Sequence, residues 1–110
     1  MHPMDAAFER ALELQAHAER EFNEGSPRVA LDAVIEAILL LRGIAPAPPL
    51  ALARALDQAA RYLMTLDRIS EALPLAREAV SLASSGGDDR LRRKCAATLA
   101  ACHRALDDGR

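Results

Sequence analysis

Between residues 55 and 83 the chain reads ALDQAARYLMTLDRISEALPLAREAVSLA. Apolar residues recur there at the three-to-four-residue period of a helix on both sides of the polar break Asp67-Arg68. Alanine stands where two such helices would have to touch, at Ala59, Ala60, Ala72, Ala76 and Ala79. A seam of methyl groups lets helix axes approach at the short end of the usual 8–10 Å range. The stretch therefore reads as an antiparallel helical hairpin. A hairpin has two apolar faces and buries only one by itself, so it needs neighbours to stack on.

The remaining composition agrees with helix. Half of the 110 residues are hydrophobic, yet only three are aromatic, and alanine and leucine supply most of the rest. The length suits one domain. A formal charge of -2 gives no bulk attraction to nucleic acid or to an anionic membrane, so neither partner is expected. The ends differ in sign: residues 1–25 hold six acids against Arg10 and Arg20, whereas Arg90, Arg92, Arg93, Lys94, Arg104 and Arg110 outnumber four aspartates beyond residue 85. No apolar run approaches the roughly 20 residues of a membrane span. The acids of the first 15 residues do not fit a signal peptide. Cys95 and Cys102 are seven apart in one expected helix, too far along its axis to pair. They read as reduced thiols, and the expected compartment is the cytoplasm.

Taken in order, the first helix is expected from Asp5, as N-cap, to Asn23, ended by Gly25. Ser26-Pro27 restarts the chain, with proline at the first helical position. Helix two, residues 27–42, carries Val29, Leu31, Val34, Ile35, Ile38, Leu39, Leu40 and Leu41, more than one stripe. It reads as enclosed on most sides, or as a partner surface if the chain is too small to enclose it. Residues 44–49 hold three prolines and read as a stiff extended connector. Helix three follows over 50–65. Helix four runs from Ile69 or Ser70 to about Ser84, distorted near Pro74, with Ile69, Leu73, Ala76, Val80 and Ala83 on its apolar stripe. After Asp88 or Asp89 as cap, helix five faces inward through Leu91, Cys95, Leu99, Cys102 and Leu106.

A shift of 42 places lays Ala18 on Ala60, Gly25 on Asp67, Ala30-Leu31 on Ala72-Leu73 and Ala37-Ile38 on Ala79-Val80. A shift of 40 lays Ala60 on Ala100 and Leu66-Asp67 on Leu106-Asp107. Periods in this range mark stacked helical hairpins. With Leu56, Ala59-Ala60, Leu63, Asp67, Ala72, Ala76 and Ala79 at consensus spacing, the chain resembles the tetratricopeptide repeat (TPR) family. It departs from that pattern at Glu21 and His103, where a large apolar residue is usual, and at Asp67, where glycine is. The resemblance implies an all-α, five-helix stack, a short right-handed solenoid forming one domain over 1–110. Repeat one covers 5–42, the connector 43–49, repeat two 50–84 and the closing helix 88–106. Two and a half repeats fall short of the usual three or so, which implies self-association or a larger complex.

The resemblance also implies a non-catalytic adaptor or scaffold that holds a partner segment in a groove lined by the first helix of each repeat. Carried over by position, the groove residues are Phe22, Arg54, Asp57, Arg61, Lys94 and Arg104, with Leu12, Gln15, Glu19, Asn23, Met64, Thr65 and Thr98 beside them. Four of these are cations, which suits an acidic segment or a C-terminal carboxylate. The alternative is a solvated charged face. Ile35, Leu39 and Leu41 form a candidate dimer surface. The basic start of helix five could also meet the acidic helix one of another copy, or simply be a soluble end. Neither cofactor nor metal is expected: Cys95, Cys102, His2, His17 and His103 do not converge as zinc ligands must. One catalytic alternative, a HEPN-like ribonuclease or toxin–antitoxin component, rests on Arg10 and His17 sharing a helix face.

Overall fold

The computed structural model describes residues 3–108. His2 and Arg110, which entered the reading above, lie outside them. The described residues form five helices and no strand: α1 (Pro3–Asn23), α2 (Pro27–Arg42), α3 (Pro49–Thr65), α4 (Ile69–Gly86) and α5 (Asp89–Asp108). Each helix packs antiparallel on the next, and α3 also touches α1 and α5. The odd-numbered helices thus form one layer and α2 and α4 the other. The backbones of α2 and α4 stay apart, and a bidentate ion pair, Arg42 to Glu78 at 2.7 and 2.8 Å, spans the gap between them. A stack whose inner layer touches and whose outer layer does not is concave on the side of α1, α3 and α5. The resulting slab measures 51 × 30 × 20 Å.

The helix ends follow from local chemistry. α1 stops in a Schellman motif: Gly25 is left-handed (φ 90°), its N–H bonds Phe22 O at 3.1 Å and the next N–H bonds Glu21 O at 2.8 Å. Forty-two residues later Asp67 takes the same conformation (φ 60°), with Asp67 N to Met64 O at 3.0 Å and Arg68 N to Leu63 O at 2.8 Å. The repeat is therefore visible in backbone hydrogen bonds, with aspartate in the glycine's place. Pro27 and Pro49 each open a helix, where a missing N–H costs nothing. Asp88 caps α5 by accepting from Leu91 N at 2.9 Å.

Several expectations are corrected. Asp5 lies inside the first turn of α1 rather than capping it. Ser26 stands at the N-cap position of α2 but makes no side-chain cap; of the two starts expected for α4, Ile69 is the observed one. Pro74 then sits in the second turn, and α4 continues through it without a break, as expected. The carbonyl it cannot serve is that of Ser70, on an exposed face where water can bond it. The connector is a turn and a run of bends over residues 43–46, not the extended stretch expected, and Ala45–Pro46 is cis.

The enclosed helix is α3, not α2. With neighbours on four sides, it buries Leu52, Leu56, Tyr62 and Leu63 together with a row of alanines. α2 has α1 and α3 alone to lean on. Its Ile35 and Leu39 remain 44% and 66% exposed, while Leu41, expected beside them on the outer surface, is fully buried. The inner ridge of α4 is alanine throughout, at Ala72, Ala76, Ala79 and Ala83, with Ile69, Leu73 and Val80 on its half-buried flanks. Ala100, expected at a helix contact, is exposed. The buried positions of α5 are Leu91, Cys95, Thr98 and Cys102. Three of them keep the 42-residue spacing: Ala11, Ala53 and Cys95 are equivalent, as are Leu14, Leu56 and Thr98, and Ala18, Ala60 and Cys102.

Candidate interaction groove

Three cavities run in series along the concave side, between α3 and its two inner neighbours. The first, about 410 Å³, is mostly apolar and is lined by Phe22, Met64, Thr65, Ala97, Thr98 and Ala101. Arg61 separates it from the second, about 270 Å³, which Leu12, Gln15, Glu19, Asp57 and Leu91 help to line. Arg54, Leu91 and Lys94 are shared with the third, about 300 Å³, which adds Asp88 and Arg90. From Met64 to Arg54 the groove follows α3 for about 15 Å, the reach of four or five extended residues.

Most of the expected groove residues are thus brought together: Phe22, Arg54, Asp57, Arg61 and Lys94, with Leu12, Gln15, Glu19, Met64, Thr65 and Thr98. Arg104 and Asn23 are not; both are exposed and line none of the three cavities.

Arg61 is also not the free cation that was expected. Its Nη1 and Nη2 donate to Glu19 at 3.3 and 3.2 Å, and its Nε donates to Asp57 Oδ2 at 3.3 Å. Burial opposes its charge, but the hydrogen bonds and attraction of Glu19, and then Asp57, hold its pKa above the ordinary guanidinium value. Its charge is spent inside the protein. Arg54 lies 3.9 Å from Asp88.

Behind Arg61 a polar network ties α1 to α3. Gln15 Nε2 donates to Ala51 O (3.3 Å) and to Gln58 Oε1 (3.2 Å). Gln58 Nε2 donates to Gln15 O (3.0 Å) and to the Tyr62 hydroxyl (3.1 Å), which in turn donates to Glu19 at 3.4 Å. The Tyr62 ring packs on Phe22, centroids 4.6 Å apart, with the Arg61 guanidinium 5.6 Å from its centre. Burial above all pushes the Tyr62 phenol up to about 12. Gln58 and Tyr62 were missed in the sequence. The available signal was a polar pair, Asp57-Gln58, within a helix that the repeat places mid-stack, where buried polar groups need partners.

The cysteines lie in the core. Burial raises the Cys95 thiol to about 11, and raises Cys102, whose S–H donates to Met64 Sδ at 3.5 Å. Among the described residues no group of three or more His, Cys, Asp and Glu side chains converges to hold a metal, and no helix is long and apolar enough to cross a membrane. Arg10 is turned toward Glu13 at 3.6 Å, and neither it nor His17 lines the three cavities. Outside the groove, Val29, Ile35 and Leu39 are exposed on α2, with exposed Asp32 and Glu36 between Val29 and the other two. Comparison with protein-family models, with curated proteins and with solved structures finds no match.

Proposed function

We propose that the chain is a non-catalytic protein–protein interaction module of the tetratricopeptide kind, an adaptor or scaffold that captures an extended partner segment between α1, α3 and α5. The observation that carries this reading is the continuity of the three cavities, apolar at the Phe22–Met64 end and cationic at the Arg54–Arg90–Lys94 end. A pocket for an apolar side chain joined to a charged trough is the usual arrangement for recognising an extended peptide. With Arg61 internally neutralised, an acidic residue or carboxylate of the partner would meet Arg54, Arg90 and Lys94 instead. The buried thiols suit a reducing cytoplasm.

Screening the full chain against a peptide array, then measuring affinity by calorimetry, tests the reading. Ala97→Leu, which fills the apolar cavity, should weaken selected peptides, and Lys94→Glu should weaken the acidic ones. Unchanged affinity in both variants rejects the groove. RNA cleavage by the purified chain that is lost in His17→Ala would overturn the non-catalytic reading.

A second mode, self-association through α2, is favoured by the exposure of Val29, Ile35 and Leu39. Light scattering at micromolar concentration decides it: a strict monomer removes it, and a dimer dispersed by Leu39→Glu supports it.

A further inference from the structure

We infer that the third cavity is a receptor for a phosphate monoester, so that the captured segment carries a phosphorylated side chain at its charged end. This deepens the groove reading and rests on it. Five residues line that cavity: Arg54 from α3, and Asp88, Arg90, Leu91 and Lys94 from the start of α5. Three are cations and one is a carboxylate, an excess of two positive charges around about 300 Å³. Internal pairing does not remove the excess. Asp88 is engaged twice, its Oδ1 accepting from Leu91 N at 2.9 Å and its Oδ2 facing Arg54 at 3.9 Å. Asp89, the other acid of this turn, is turned to Arg92 at 3.7 Å. Among the described residues no carboxylate pairs with Arg90 or Lys94. The middle cavity differs in this respect, because there Arg61 is held by Glu19 and Asp57.

Charge and shape select the anion. A phosphate monoester carries close to two negative charges at neutral pH and presents three acceptor oxygens. A carboxylate brings one charge and two oxygens in a plane, and would leave a cation unmatched. Two guanidinium forks and a freely rotating ammonium, arriving from two helices, converge on a tetrahedral group more readily than on a planar one. The positive end of the α5 dipole adds to the same field. All three cations are exposed, so salt screens them, and a phosphate held by them alone binds weakly. Affinity comes from joining it to the other end of the groove. The Phe22–Met64 cavity is mostly apolar, and a free phosphate has nothing to place there. A polyanion is opposed by the chain's own charge of -2. With about 15 Å between Met64 and Arg54 along α3, the segment would read as an apolar residue and a phosphorylated serine or threonine four or five apart.

The test is calorimetry and NMR titration of the ¹⁵N-labelled full chain with the capped peptide Leu-Ala-Ala-Ala-Ser and its reverse. Each is used phosphorylated, unmodified and with glutamate for serine, beside inorganic phosphate alone. In one order the phosphopeptide should bind at least about tenfold tighter than its unmodified and glutamate forms, with saturable shifts at Arg54, Arg90 and Lys94. Arg54→Gln and Lys94→Gln should each lower that affinity about tenfold. Arg93→Gln, which removes an exposed charge lining none of the cavities, should change it by less than about twofold. Phosphopeptides that move none of the three residues, no loss in Arg54→Gln and Lys94→Gln, or an equal loss in Arg93→Gln would each overturn the receptor. A glutamate form as tight as the phosphorylated one overturns the phosphate assignment. If array-selected peptides still bind in an Ala97-sensitive way, the groove survives either failure. Inorganic phosphate binding as tightly as the phosphopeptide overturns the partner assignment in favour of a small anion.

Discussion

Tyr62 is the one tyrosine of the chain, and there is no tryptophan, so the near-ultraviolet band of the phenolate reports this residue alone. Its phenol is pushed up to about 12 in the folded protein, against about 10 in an unfolded chain. Between those values the unfolded state has released the proton and the folded state has kept it. The folded state thus binds more protons, and stability falls as pH rises. At about 1.4 kcal/mol per unit, a two-unit gap amounts to roughly 3 kcal/mol once pH passes 12, and to about 1.4 kcal/mol at pH 11. Against a total of about 5–15 kcal/mol for a domain, that is readily measured.

The assay has two parts. Native absorbance titration should show a midpoint near 12, moving to about 10 in strong denaturant. Denaturant midpoints taken at about pH 9 and pH 11 should show a loss of stability that is larger in wild type than in Tyr62→Phe by about 1.4 kcal/mol. The difference between the two proteins removes the parallel contribution of Cys95, whose thiol is also raised. At neutral pH Tyr62→Phe should itself cost about 1 kcal/mol, because Gln58 Nε2 loses one acceptor and Glu19 one donor. A native midpoint near 10 with helical circular dichroism intact would refute the enclosure of Tyr62 and the network built on it. So would equal pH dependence in the two proteins.

Asp67→Gly should hold stability or raise it by up to about 1 kcal/mol, while Gly25→Ala should lower it by about 1–2 kcal/mol, since both sites are left-handed and only one has glycine; denaturant midpoints that fall in Asp67→Gly and rise in Gly25→Ala would contradict the shared Schellman geometry. Ala76→Leu should cost about 1–3 kcal/mol by wedging α4 off its neighbours, and an unchanged melting temperature would mean the alanine ridge is not a contact. Cys95 should resist alkylation at neutral pH until denaturant is added, because it is fully buried and its thiol is raised; rapid modification of the native chain would show α5 to be loosely held.

Helix limits were legible because their punctuation is local: Pro27 opens a helix, Gly25 closes one and Asp88 caps another, each by chemistry within a few residues, whereas Pro49, read as the end of the connector, is the first residue of α3. The hairpin and its 42-residue recurrence were legible for the same reason. The register of α5 was not. Alanine is so frequent that Ala100 falls on Ala60 at a shift of 40, whereas the packed position belongs to Cys102. Burial of α2 was overread because its apolar residues exceed one stripe while its neighbours number two. In the groove, position by position, the inner helices could be foreseen, including Phe22, Asp57 and Lys94. The state of Arg61 could not. Asp57 is four residues away and visible in the sequence, but Glu19 is 42 residues away and reaches Arg61 only once α1 lies against α3.

The ridge of Ala72, Ala76, Ala79 and Ala83 has a further consequence. Alanine has no rotamers to lose, so this seam closes without side-chain entropy cost. For the same reason it has no rotamers with which to adjust, and a misfit cannot be absorbed by a neighbour swinging aside. Along the ridge the approach of α4 is accordingly set by main-chain shape, with adjustment left to Ile69, Leu73 and Val80 on its flanks, and a ligand pressing on α3 would find a stiff wall behind it rather than a cushion.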